Sequence, residues 1–165
     1  MLVTALYEAT DPELCAVEPE PLAVAKQERP KEPGRVGLVL VSHSREVATA
    51  TGALAKALVG TGDPAPVAPA GGLPDGRTGT SAELVRKAVR AADQGAGVVV
   101  VCDMGSAVLT VRELLPELGE AHGEVHIADT PFVEGAVAAA VTASAGGDLA
   151  AVLAAAEDAR TYRKL

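Results

Sequence analysis

The chain reads as an α/β domain: a doubly wound, mainly parallel four-stranded sheet with flanking helices, preceded by a separate N-terminal extension. Three observations carry this. Val36–Val41 and Val98–Cys102 are apolar runs without polar alternation, as in strands buried on both faces. From Arg35 onward, strand-like runs alternate with segments of helical period. Before that, Pro12, Pro19, Pro21, Pro30 and Pro33 stand among many glutamates, a density that blocks helix and sheet ladders alike. Residues 1–34 are therefore expected to be a disordered Pro/Glu-rich extension, and residues 35–165 the folded domain.

Each element has its own signal. Val36–Val41 is strand one. Ser44 is a good N-cap for helix one, which reaches Leu58 with Val47, Thr51, Leu54, Ala55 and Leu58 on its apolar face and stops at Gly60 and Gly62. Val67–Ala70 is strand two; Pro66 and Pro69 make it peripheral. Gly71–Gly79 is a glycine-rich loop. Thr80 opens helix two, where Thr80-Ser81-Ala82-Glu83 fits a capping box and Leu84, Val85, Ala88 and Val89 form the apolar face.

Val98–Cys102 is strand three, turned by Asp103-Met104-Gly105-Ser106 into helix three. Pro116 is expected to end or kink that helix near Leu115. Val125–Ala128 is strand four. Pro131 suits the first turn of helix four, Gly146-Gly147 closes it, and Asp148 caps a last helix reaching about Arg160, with Leu149, Val152, Leu153 and Ala156 inward. Strand–helix alternation implies right-handed crossovers.

Hydrophobic residues make up 48% of the chain but aromatics only 2%, so the core rests on many small Ala, Val and Leu contacts. The net charge is −8 with basic residues scattered, which argues against nucleic acid as a partner. An acidic surface suits a basic protein partner or serves solubility. Cys15 and Cys102 have neither metal-ligand spacing nor a disulfide framework. No apolar run is long enough for a membrane span and the N-terminus lacks the basic start of a signal peptide, so the expected compartment is the cytoplasm.

The chemistry gathers at strand ends. His43 follows strand one between Ser42 and Ser44; Gly79, Thr80 and Ser81 follow strand two; Asp103, Gly105 and Ser106 follow strand three; Glu134 and Gly135 follow strand four. Open α/β sheets bind ligands at this edge, and helix N-termini favour anions. Two readings of His43 stand: a capping or core histidine, or a nucleophile toward a phosphoryl group, oriented by a carboxylate on its other nitrogen. Asp103 is the candidate carboxylate, its alternative being a cap of helix three; Glu134 is the weaker candidate. Ser44, Gly79, Thr80, Ser81, Gly105 and Ser106 offer N–H groups and hydroxyls for phosphate oxygens, or simply cap helices. His122, His126 and Arg77 read as structural or solvated. Neither a Walker A lysine nor GxGxxG is present, and no histidine spacing suits a metal.

Four blocks in order resemble the mannose-family IIA domains of the sugar phosphotransferase system. They are Val39-Leu40-Val41-Ser42-His43-Ser44, Gly79-Thr80-Ser81, Val101-Cys102-Asp103-Met104-Gly105-Ser106-Ala107 and Pro131-Phe132-Val133-Glu134-Gly135-Ala136. The likeness spans about Arg35 to Asp148 and is greatest to the phosphotransferase subunits of dihydroxyacetone kinases. It implies a phosphohistidine at His43, partnered by Asp103, and a phosphotransferase activity. The phosphoryl group would come from the phosphocarrier HPr and pass to ADP on a nucleotide-binding (DhaL-type) subunit, which serves a dihydroxyacetone-binding (DhaK-type) subunit. It further implies a homodimer, and no permanently bound cofactor, since ADP and magnesium belong to the partner subunit. The chain ends too early for the extra carrier domains of some relatives, so a separate HPr is expected. Two other functions stay open: a mannose-type IIA component of sugar transport, and a non-catalytic phosphate-sensing module. Nε2 is the expected phosphorylated atom, with Nδ1–H toward Asp103.

Overall fold

The computed structural model describes residues 34–60 and 62–164. The expected disorder of the extension, and Cys15 with it, falls on residues outside that range, Gly34 apart. Four strands, β1 (Gly37–Ser42), β2 (Val67–Gly71), β3 (Val98–Cys102) and β4 (Val125–Ala128), form one sheet in the order β2-β1-β3-β4. Every neighbouring pair is parallel. Five helices connect and cover them: α1 (Arg45–Val59), α2 (Ala82–Ala92), α3 (Gly105–His122), α4 (Phe132–Ser144) and α5 (Leu149–Asp158), the last running into a 3-10 turn at Ala159–Thr161.

Period-two alternation sends the central strands' side chains to two cores. Leu38, Leu40, Val99 and Val101 meet α1, α4 and α5 through Ala55, Ala136, Ala139, Ala140, Val152 and Ala156. Val39, Val41, Val98 and Val100 meet α2 and α3 through Val85, Val89, Val111, Leu114 and Leu118. With both faces covered, neither β1 nor β3 needs a polar position, which is why their runs are unbroken. The proline-flanked β2 lies on an edge, as its sequence demands.

Three local readings change. Helix α1 buries Ala48, Thr51, Gly52 and Ala55, whereas Val47, Leu54 and Leu58 are 46%, 44% and 58% exposed. The helix lies close on the sheet: a Cβ at Gly52 would already touch Leu40 and Val67, so the inward face has room only for small residues. The displaced Leu54 and Leu58 line an open apolar groove of about 550 Å³ with Val133, Val137, Val141 and Tyr162.

Pro116 neither ends nor breaks α3, which runs on to His122. Pro116 and Arg112 both lie on the exposed side, so the carbonyl that loses its N–H partner is open to water. Finally, α2 is capped by Ser81, whose Oγ accepts from the Leu84 N–H at 3.3 Å, and not by Thr80.

Candidate functional site

The path of the chain creates the site. From β1 it moves outward to β2, then returns past β1 to β3, so the carboxyl ends of β1 and β3 form the point where the winding reverses, the place where open α/β sheets hold ligands. His43 leaves the end of β1 and Asp103 the end of β3, and Val41 pairs with Cys102 immediately before them. The Asp103 N–H donates to the Val41 carbonyl at 3.0 Å, extending the ladder to the site itself.

His43 is held at both ring nitrogens. Nδ1 lies 3.0 Å from Asp103 Oδ1 and 3.3 Å from Oδ2; Nε2 lies 2.9 Å from the Ser106 hydroxyl. Both members of the His43–Asp103 pair are mostly covered, with side chains 18% and 16% exposed. Asp103 Oδ2 also accepts from the His43 backbone N–H and from the Ser42 hydroxyl, each at 2.9 Å. Burial works to raise the Asp103 pKa; these donors outweigh it and keep the carboxyl below its ordinary range. An ionised Asp103 can only accept, so the proton on this side of the ring belongs to Nδ1, and the Nε2 lone pair faces Ser106.

The loop after β2 braces the histidine backbone. The Gly79 N–H donates to the His43 carbonyl at 2.9 Å, and Gly72 N–H to the Ser42 carbonyl at 3.0 Å. Gly79 has φ of +151°, a conformation L side chains rarely adopt, so glycine is required where the loop turns beneath His43. At Gly71 the reason is space: a Cβ would sit 2.4 Å from the Ser44 carbonyl oxygen.

The other expected residues divide. Asp103 does not cap α3, whose N-cap is Met104 with no side-chain bond. In the first turn of α3 the Ala107 and Val108 N–H groups donate to the Met104 carbonyl, which leaves those of Gly105 and Ser106 without an intrahelical carbonyl, and the Ser106 hydroxyl touches the ring. Thr80 meets the Thr110 hydroxyl at 3.1 Å, tying the loop to α3. Ser44 caps α1, accepting from Val47 N–H and donating to Glu46. Glu134 stands apart from His43 in an ion pair with Lys164 at 2.9 Å, so it is not the orienting carboxylate. Arg77 pairs with Asp75, and His126 lies exposed on the edge strand β4. His122 pairs with Asp93.

Ser42 is not among the residues the sequence singles out, yet it is 1% exposed and bonds to Asp103. A hydroxyl closing a doubly buried strand was the available signal, because burial there needs a partner. Cys102, beside it, is inert: burial, with the Asp103 charge, pushes its thiol up to about 12. A second cavity of about 540 Å³ opens between α3 and β4, bordered by Asp103, Gly105, Arg112 and Thr130. Among the described residues no group of three His, Cys, Asp or Glu side chains is placed to hold a metal, and no helix is long and apolar enough to cross a membrane.

Comparison with known proteins agrees with this fold. Residues 37–153 match the EIIA-man family model, described as "PTS system fructose IIA component". A "PEP-dependent dihydroxyacetone kinase 2, phosphoryl donor subunit DhaM" of Listeria innocua serovar 6a is 34% identical over 107 residues, 64% of this chain and 84% of that protein. The corresponding DhaM subunits of Pantoea ananatis and Escherichia coli K12 are 38% and 36% identical over 121 residues, 72% of this chain. The chain spans about a quarter of the length of those two relatives. A crystal structure of a protein of unknown function, EF1359, superposes with a TM-score of 0.64 at 28% identity, covering 76% of this chain and 95% of that one. With a histidine held at the winding reversal, a family model matched across the whole sheet, and a relative covered over most of its length, this chain belongs to the mannose-type IIA (EIIA-man) family of the phosphotransferase system.

Proposed function

We propose that the protein is a phosphoryl relay subunit of a dihydroxyacetone kinase, accepting phosphate from phospho-HPr on His43 and passing it to ADP bound on the nucleotide-binding kinase subunit. The observation that carries this is the His43 ring, with Nδ1 on Asp103 and Nε2 on the Ser106 hydroxyl at the carboxyl edge of the sheet. The DhaM names of the relatives supply the kinase and its substrate.

In the transfer, the Nε2 lone pair attacks phosphorus, the new N–P bond forms, and the donor's N–P bond breaks with its electron pair returning to the donor imidazole. The ring keeps its Nδ1 proton, and the positive charge it gains is met by Asp103, in the manner of a triad. The Ser106 hydroxyl must turn away from Nε2 to admit phosphorus; once turned, it and the α3 first-turn N–H groups face the phosphoryl oxygens. The return step is the same displacement with the ADP terminal oxygen as nucleophile, its magnesium held by the partner subunit. Such transfers need positioning and charge neutralisation more than additional catalytic side chains. The protein itself is a homodimer in this reading, acting in the cytoplasm.

Incubation with phosphorylated HPr is expected to add one acid-labile phosphoryl group to the wild type and none to His43→Ala. A labelled His43→Ala protein would overturn the assignment. The description of the family model favours one second reading, a IIA component delivering phosphate to a sugar-transport IIB protein. Discharge of the phosphoprotein by ADP plus the DhaL-type subunit, and not by a IIB protein, decides for the kinase.

A further inference from the structure

We infer that Ser42 is a positioning residue for the phosphoryl transfer: its hydroxyl locks the Asp103 carboxylate in the one orientation that presents Oδ1 to His43 Nδ1. This rests on His43 being the phosphoryl acceptor.

Only Ser42 and Thr51 are buried polar residues among the described part of the chain. Burying a hydroxyl at the end of a strand covered on both faces is costly unless it is bonded. Ser42 Oγ is bonded both as donor and as acceptor. It donates to Asp103 Oδ2 at 2.9 Å and accepts from the Ser44 N–H at 3.1 Å. One atom therefore joins the carboxylate at the end of β3 to the first cap of α1.

The carboxylate has two oxygens and a soft terminal torsion with broad, roughly two-fold minima, so its angle is set by its donors. Oδ2 takes two neutral donors at the end of β1, the hydroxyl of Ser42 and the N–H of His43 just beyond it. That leaves Oδ1 as the nearer oxygen to the ring, 3.0 Å against 3.3 Å. Without the hydroxyl, one N–H alone holds Oδ2. The carboxylate can then rotate, the Nδ1–H tautomer loses its fixed acceptor, and a larger share of rings carries the proton on Nε2, where it blocks attack. Thr80 and Thr110 bond to each other, and Ser44 and Ser81 cap helices, so none of these hydroxyls substitutes.

The test uses full-length Ser42→Ala, Ser42→Thr and Ser42→Val. Threonine and valine add the same bulk at this buried site and differ by the hydroxyl. Two readouts are taken: the rate of phosphorylation by phospho-HPr, and the His43 tautomer from ¹⁵N NMR of the unphosphorylated protein. Wild type and Ser42→Thr are expected to hold the Nδ1–H form; Ser42→Val and Ser42→Ala are expected to gain Nε2–H form and to slow on the order of tenfold. An unchanged tautomer in a folded Val or Ala variant overturns the proposal, even if the rate falls, because packing damage alone would slow transfer. Equal behaviour of Thr and Val variants overturns it as well. Failure of the wild type to accept phosphate would instead sink the relay reading, and the tautomer measurement, which needs no donor, still decides the role of Ser42.

Discussion

Among the described residues, two His–Asp pairs match in their central contact and differ in what surrounds it. His43 Nδ1 and His122 Nδ1 each lie 3.0 Å from an aspartate oxygen, and all four side chains are between 16% and 20% exposed. His122 ends α3 and Asp93 follows α2, so that pair clips two helices on one face of the sheet. Its aspartate spends its other oxygen on the nearby Gly95 N–H, a local turn. His43 instead stands at the carboxyl ends of two central strands. Its aspartate is held by one backbone N–H and a buried hydroxyl, and the other ring nitrogen meets Ser106 in the first turn of α3. A short imidazole–carboxylate contact is thus not itself a site. In the proposed relay, the reactivity of His43 would come from an anchored carboxylate on one nitrogen and an approach path beside a helix N-terminus on the other.

That contrast can be broken experimentally, beginning with the largest effect. His43→Ala is expected to abolish phosphoryl acceptance from phospho-HPr, and His122→Ala to leave it intact in the same assay. Asp103→Asn keeps the shape of the site but removes the acceptor that selects the Nδ1–H tautomer, and transfer to His43 falls by about 10²-fold or more, measured by single-turnover labelling. Asp93→Asn, the matching change in the other pair, has no such effect. Ser106→Ala loses a donor to the transferred group and slows transfer about tenfold to a hundredfold.

Asp93→Asn and His122→Ala act on stability, each costing about 1 kcal/mol in urea melts through a lost hydrogen bond. The smallest effect is a pH dependence of stability at Asp103. The Asp103 carboxyl is held below its ordinary range in the folded protein, so its stabilisation is full above the unfolded value of about 3.9 and is lost as pH falls through the lower folded value. Urea midpoints of wild type and Asp103→Asn therefore converge below about pH 4. A constant gap across that window would show that the Asp103 charge plays no part.

Much of this was legible in the chain. The Val-rich runs declared themselves as doubly covered strands because no polar position interrupts them, and Pro66 and Pro69 marked β2 as an edge. His43 and Asp103 could be paired because both follow such runs. Glu134 is the weaker candidate by sequence, since a carboxylate after a strand is equally an early-helix acid, and its ion pair with Lys164 away from His43 excludes it. Pro116 misled because helix-breaking depends on which side of the helix the freed carbonyl faces. The face of α1 was misjudged because hydropathy favours Leu and Val inward, whereas the close approach of this helix to β1 and β2 admits only Ala, Gly and Thr. Ser42 went unread because its importance lies in a partner 61 residues away.

The sequence by itself determined the alternation of strands and helices, the parallel sheet and the strand-end position of the histidine, because hydrophobic periodicity and turn chemistry are local properties. Only the tertiary structure decided which carboxylate faces the ring, which hydroxyl anchors it and which ring nitrogen meets Ser106. Those choices depend on strand order and on distances of about 3 Å between groups far apart in the chain, a scale set by hydrogen bonding and not written in any local pattern.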